Sequence, residues 1–167
     1  MEFGYTIPLQ KHVGKRILEY GTERERLFCW DVHAIRLRGQ DAALAVNCKN
    51  RYTVVLLGME REWNALHGVL LRGLRSAFSA DGFSDEWAVR YFARAGEASV
   101  TRTHGRREVA FLNRAWEDAL ACDMAAIPDS RDQFPLNRAV NSIPCRCAGH
   151  EGTGAALERM REDLAAL

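Results

Sequence analysis

The sequence predicts an α+β domain: a mainly antiparallel sheet of about four to five strands with helices packed on it, an irregular C-terminal tail and a last helix. Three observations carry this reading. Strand-type segments follow one another closely between Phe28 and Leu57, and their turns are too short for a parallel crossover, which takes a dozen or more residues. From Glu60 onward the apolar period changes from that of a strand to that of a helix. Finally, Pro128, Pro135, Pro144 and the glycines from Gly149 to Gly154 imply irregular chain draped over the domain.

In chain order, Phe3 to Ile7 alternates as a short strand, with Thr6 placed to cap a helix that takes Pro8 in its first turn. Leu9, Val13, Ile17 and Tyr20 then form one apolar stripe, which predicts a helix ending near Gly21. After a polar loop from Thr22 to Arg26 come the three strands: Phe28 to Arg38, Ala42 to Cys48, and Tyr52 to Leu57, rich in the β-branched and aromatic residues that strands favour. Trp63, Leu66, Leu70, Leu74 and Phe78 mark the buried face of the next helix. Ser84 caps a further one, with Asp85 and Glu86 at its positive end and Trp87, Tyr91 and Phe92 buried. Val100 sits in a fourth strand, and Val109, Leu112, Trp116 and Leu120 give a helical stripe able to cover the sheet. Thr153 is placed to cap the last helix, whose apolar side is Leu157, Met160, Leu164 and Leu167. Residues 1–126 read as a single domain, with 127–167 as a tail and terminal helix packed on it.

The totals fit this picture. A chain of 167 residues is one domain's worth, and 47% hydrophobic with 27% charged residues is ordinary for a globular protein. A net charge of +1 gives no whole-chain attraction to nucleic acid or membrane. The basic residues are nearly all arginine, with lysine only at Lys11, Lys15 and Lys49, a bias that a GC-rich genome produces without any function behind it. The five cysteines are an odd number without regular spacing. With no signal peptide and no run of membrane-spanning length, they point to reduced thiols in the cytoplasm.

Four stretches together resemble a known family. They are FGYTIPLQKHVGKRI, the paired strands WDVHAIRLRGQDAALAVNCKNRYTVVLLG, the strand, Arg-bearing turn and helix VTRTHGRREVAFLNRAWEDAL, and the tail segment PLNRAVNSIPC with Asn141 and Pro144. The chain is similar over most of its length to the DUF6933 family of bacterial proteins of unknown function. The resemblance implies no activity, cofactor or catalytic residue.

Two clusters carry candidate chemistry. Cys145, Cys147 and His150 in a Gly- and Pro-bounded loop offer two thiolates and an imidazole for zinc, with Cys122 or Asp123 as a distant fourth ligand. Their spacing differs from the paired cysteines of structural sites, so the expectation is no cofactor, with zinc as the alternative. His104 lies in a turn with Arg102, Arg106 and Arg107 just before a helix, an arrangement suited to an anion or a partner. Asn113 is expected to face the sheet and hold backbone. Asn47, Asn137 and Asn141 are expected to stitch turns, His33 to be a satisfied sheet histidine, and the four tryptophans to be core. Nucleotide-binding glycine motifs, H-E-x-x-H and G-x-S-x-G are missing. The leading functional expectation is therefore a small non-catalytic binding or regulatory protein with an unidentified protein partner and no membrane contact. The alternatives are a nucleic-acid-associated factor or inhibitor using Arg72, Arg75, Arg102, Arg106 and Arg107 if they share one face, or a metal protein or enzyme with a dispersed site.

Overall fold

The computed structural model describes residues 1–17 and 19–167. The elements run β1 (Glu2–Tyr5), α1 (Ile7–His12), β2 (Cys29–Leu37), β3 (Gln40–Asn47), β4 (Thr53–Leu57), α2 (Leu66–Ala80), α3 (Asp85–Ala95), β5 (Ser99–Arg102), α4 (Arg106–Ala121), α5 (Phe134–Ser142), β6 (Pro144–Cys145), β7 (Gly154–Ala155) and α6 (Ala156–Ala165). The class is α+β, as the sequence predicts. The five-stranded sheet has the order β4-β3-β2-β1-β5, and β6 pairs with β7 in a separate small sheet.

The sheet is mixed, not purely antiparallel, though antiparallel pairing is the larger part of it. β2, β3 and β4 form the expected antiparallel meander. However, β1 inserts between β2 and β5 and runs parallel to both, with Phe3 opposite Trp30 on one side and Val100 on the other. Both connections are long enough for parallel crossovers: α1 and a loop lead from β1 to β2, and α2 with α3 separates β4 from β5. Four residues at the start of the chain carry little local sign of a central strand.

The first helix is shorter than its apolar stripe suggests. Thr6 caps it as expected, its hydroxyl accepting from Leu9 N–H. It ends after His12, where Gly14 takes φ 65°. Lys15 N–H donates to Gln10 C=O at 3.0 Å and Gly14 N–H to Lys11 C=O at 3.3 Å, the paired bonds of a glycine-terminated helix. Leu18, inside the expected helix, lies outside the described residues. At the other caps, Ser84 accepts from Trp87 N–H, but Ala155, not Thr153, precedes α6.

Helices cover both faces of the sheet. On the first face Phe3, Tyr5, Trp30, Val32, Ala43, Ala45, Val54 and Leu56 meet Leu9 of α1, Leu70 and Leu74 of α2, Tyr91 of α3 and Met160 of α6. On the second, Ile35, Leu37, Leu44, Val46, Val55 and Leu57 meet Leu112 and Ala115 of α4 and Leu136 and Val140 of α5.

The tail contains a helix that the sequence reading leaves as irregular chain. α5 lies along β4, whose outward N–H groups would otherwise form an open edge. Asn141 Oδ1 accepts from Thr53 N–H at 2.7 Å and Asn137 Oδ1 from Val55 N–H at 2.8 Å, while Leu57 N–H reaches Arg131 C=O at 3.0 Å. The match is geometric: four helix residues rise about 6.0 Å and two strand residues about 6.8 Å. Asn137 and Asn141 thus close a sheet edge rather than stitch turns. Asn47 does organise a turn, accepting from Lys49 and Asn50 N–H. Asn113 is exposed, contrary to expectation, because Leu112 and Ala115 take the buried face of α4.

Candidate functional site

The second sheet face divides into an apolar half and a polar half. Strand alternation puts Glu2 and Gly4 of β1 on it, with Cys29, Asp31 and His33 of β2 and Cys48 just past β3. α4 and α5 cover the apolar half. The turn after β5 folds back over the polar half and lays His104 on Gly4. A Cβ at Gly4 would collide with Asp31 Oδ1 and come within 2.9 Å of both His104 Nδ1 and Thr103 Cα. Only glycine allows this approach.

His104 is held at both ring nitrogens. Nδ1 lies 2.7 Å from Asp31 Oδ1, and His104 N–H donates to the same oxygen at 3.1 Å. Nε2 lies 3.3 Å from Glu2 Oε2, and Cys48 Sγ lies 3.6 Å from Nδ1. The side chains of His104, Asp31 and Glu2 are 4%, 1% and 8% exposed, so solvent weakens these contacts little. Burial alone would lower the His104 pKa, but the Asp31 carboxylate and the neighbouring cysteines outweigh it and raise it to about 12. Burial likewise pushes Glu2 up. The N–H groups of Glu23 and Thr22 and the His104 ring more than compensate, leaving it below its ordinary value. Burial drives the Cys48 thiol up to about 12, so it is a neutral thiol at physiological pH.

A second feature is open. Ile7, Gln10 and Lys11 of α1, Gly14, Lys15, Arg16 and Ile17 beyond it, and Arg102 at the end of β5 line a cavity of about 510 Å³. Its described lining carries four cationic side chains and no acid. It lies at the carboxyl ends of the parallel strands β1 and β5. The chain leaves β1 toward the first face, where Leu9 is buried, and leaves β5 toward the second, under α4. Such a divergence opens a crevice where ligands of open parallel sheets bind.

The four stretches quoted from the sequence are now seen to build β1, the β2–β4 meander, the β5–α4 turn and α5. The DUF6933 family, a domain of unknown function, matches residues 3–156. The chain belongs to this family. The DUF6933 match runs from β1 to the first residue of α6, so it includes Cys29, Asp31, Cys48 and His104 and leaves out Glu2. No curated protein and no solved structure matches the chain.

The residues singled out from sequence are dispersed. His104 faces two carboxylates instead of an anion. Arg107 pairs with Glu108 at 3.1 Å, and Glu108 is buried in the first turn of α4, occupying its positive end. Arg106 is exposed. Arg102 stacks on Tyr20, its guanidinium 4.6 Å from the ring centre, and joins the basic cavity. Arg72 and Arg75 belong to α2 on the first face and Arg106 and Arg107 to α4 on the second, so these arginines do not share one face. Cys145, Cys147 and His150 are not among the groups of described donors within metal-binding reach of one another. His150 instead reaches Asp163 at 3.1 Å, the carboxylate through which Lys49 and Asn50 tie α6 to the β3–β4 turn. His33 is satisfied by Thr6 Oγ1 at 2.8 Å.

Sequence reasoning missed Glu2, Cys29, Asp31 and Cys48 as partners of His104. One signal was present: Asp31 is a carboxylate in the middle of a strand-type run, on the parity that Ile35 and Leu37 make apolar further along. A charge at such a position requires a partner.

No described helix is long and apolar enough to cross a membrane.

Proposed function

We propose that this domain is a small binding protein that recognises a phosphate- or carboxylate-bearing small molecule at the cavity between α1 and the end of β5. One observation carries the reading: Lys11, Lys15, Arg16 and Arg102 converge on about 510 Å³ whose described lining holds no acid to neutralise them. Arginine and lysine in this density suit an anion, and Ile7 and Ile17 give its organic part an apolar wall. The same geometry supports recognition over turnover. The His104 imidazole and the Cys29 and Cys48 thiols, which could serve as acid, base or nucleophile, are not among the residues lining this cavity.

Thermal denaturation in the presence of pyrophosphate, a nucleoside diphosphate and citrate tests the reading. A ligand of the folded state raises Tm by mass action. The expected result is a rise with at least one of these anions that is lost in Arg102→Ala and Lys15→Ala and kept in Arg106→Ala. An unchanged Tm with all three, or a rise that survives both cavity variants, contradicts it. Salt-dependent retention of a single-stranded oligonucleotide, abolished by the same two variants, would instead assign the cavity to nucleic acid.

A further inference from the structure

Among the described residues, two groups of three donors lie within metal-binding reach: Glu2, Cys29 and His104, and Asp31, Cys48 and His104, each with its ligand atoms within 4.8 Å of one another. They share one imidazole, whose two nitrogens point to opposite sides, and the distances separate them. Two nitrogen or oxygen ligands about 2.0–2.1 Å from a tetrahedral ion stand about 3.3 Å apart. Glu2 Oε2 and His104 Nε2 are 3.3 Å apart, whereas Asp31 Oδ1 and Nδ1 are 2.7 Å apart, a hydrogen-bond distance too short for two ligands of one ion.

We propose that Glu2, Cys29 and His104 Nε2 form a binding site for a borderline divalent metal ion such as Zn2+, with Asp31 as the positioning residue that holds Nδ1–H. A carboxylate on the second nitrogen fixes the tautomer and strengthens the first as a ligand. Glu2 is positioned in the same way. Its Oε1 accepts from Thr22 and Glu23 N–H at 2.7 and 3.0 Å, which turns Oε2 toward Nε2, and a Cβ at Gly21 would collide with this carboxylate. The mixed nitrogen, oxygen and sulfur set suits zinc and disfavours magnesium or calcium. A polar cavity of about 450 Å³ lined by Glu2, Thr22, Glu23, Arg24, Glu97 and Ser99 reaches the Glu2 side and gives the ion a route in. A ligating imidazole nitrogen and a ligating sulfur carry no proton, so binding releases whatever protons these two donors hold. Three protein ligands leave the fourth tetrahedral position to water. This site is separate from the basic cavity, and either reading stands if the other fails.

The test loads metal-free protein with Zn2+, removes the excess by gel filtration and measures metal per chain. Co2+ substitution then reads the thiolate-to-metal charge-transfer band. The expected result is one ion per chain and a charge-transfer band that disappears in Cys29→Ser and His104→Gln but persists in Cys48→Ser and Cys145→Ser. Asp31→Asn should weaken affinity about 10–100-fold. Wild-type protein that retains no stoichiometric metal overturns the proposal, as does a band lost with Cys145 in place of Cys29. Circular dichroism checks each variant before loading. If Cys29→Ser or His104→Gln does not fold, Glu2→Gln and the wild-type metal count decide the matter.

Discussion

The two halves of the second sheet face are closed by different physics. Over Leu37, Leu44, Val46 and Leu57, α4 and α5 supply Leu112, Ala115, Leu136 and Val140, and many small contacts exclude water. Over Cys29, Asp31 and Glu2, a three-residue turn supplies one imidazole, held by one short hydrogen bond and one longer contact. The apolar half tolerates reshaping as long as volume is kept. The polar half does not, because each charge there is buried on the condition that its partner is present. Closure by a charged group thus fixes chemistry at a place where a helix would fix only shape.

The most disruptive way to break this contrast is Asp31→Ala. It leaves His104 and its N–H without their acceptor and should cost about 3–5 kcal/mol, the usual penalty for breaking a buried pair by removing one member. Leu44→Ala in the other half should cost about 2–5 kcal/mol and leave metal uptake at His104 unchanged. Urea denaturation of both variants checks the two values, and a near-neutral Asp31→Ala would mean that the pair carries no stability. Gly4→Ala comes next. It should lift the turn from the sheet at a cost of about 1–3 kcal/mol, typical of overpacking, and an unchanged urea midpoint would show that the close approach is not needed. Asn141→Ala orphans Thr53 N–H and C=O on the β4 edge and should cost about 1–2 kcal/mol, with faster amide exchange at Thr53 as its local signature.

The smallest effect concerns His33, beside the polar half. Burial lowers its pKa below the ordinary 6.5, so the unfolded chain takes up the proton more readily than the folded one. Its contribution to stability is therefore present above pH 6.5 and is lost as pH falls below it. His33→Gln should flatten the stability profile on the acid side, and an identical slope in the variant would assign the proton to another group.

Much of the fold was legible because local rules held. Thr6, Ser84 and the short turns from Phe28 to Leu57 place caps and a meander by chemistry confined to a few neighbours. The parallel placement of β1 was not legible, since its partners at Trp30 and Val100 are long-range and four residues show little periodicity. α5 was obscured by Pro135, which sits harmlessly in its first turn. The candidate site was half legible. His104 stood out, but the surrounding arginines suggested an anion, and only the folded sheet shows that its neighbours are Asp31 and Glu2.

The most direct test of the charged closure is 15N spectroscopy of the His104 ring in metal-free protein at neutral pH, then with Zn2+ added. The account predicts both ring nitrogens protonated without metal, then Nδ1 still protonated and Nε2 shifted to a metal-bound value. A ring that is neutral without metal, or one whose Nδ1 takes the ion, would contradict it.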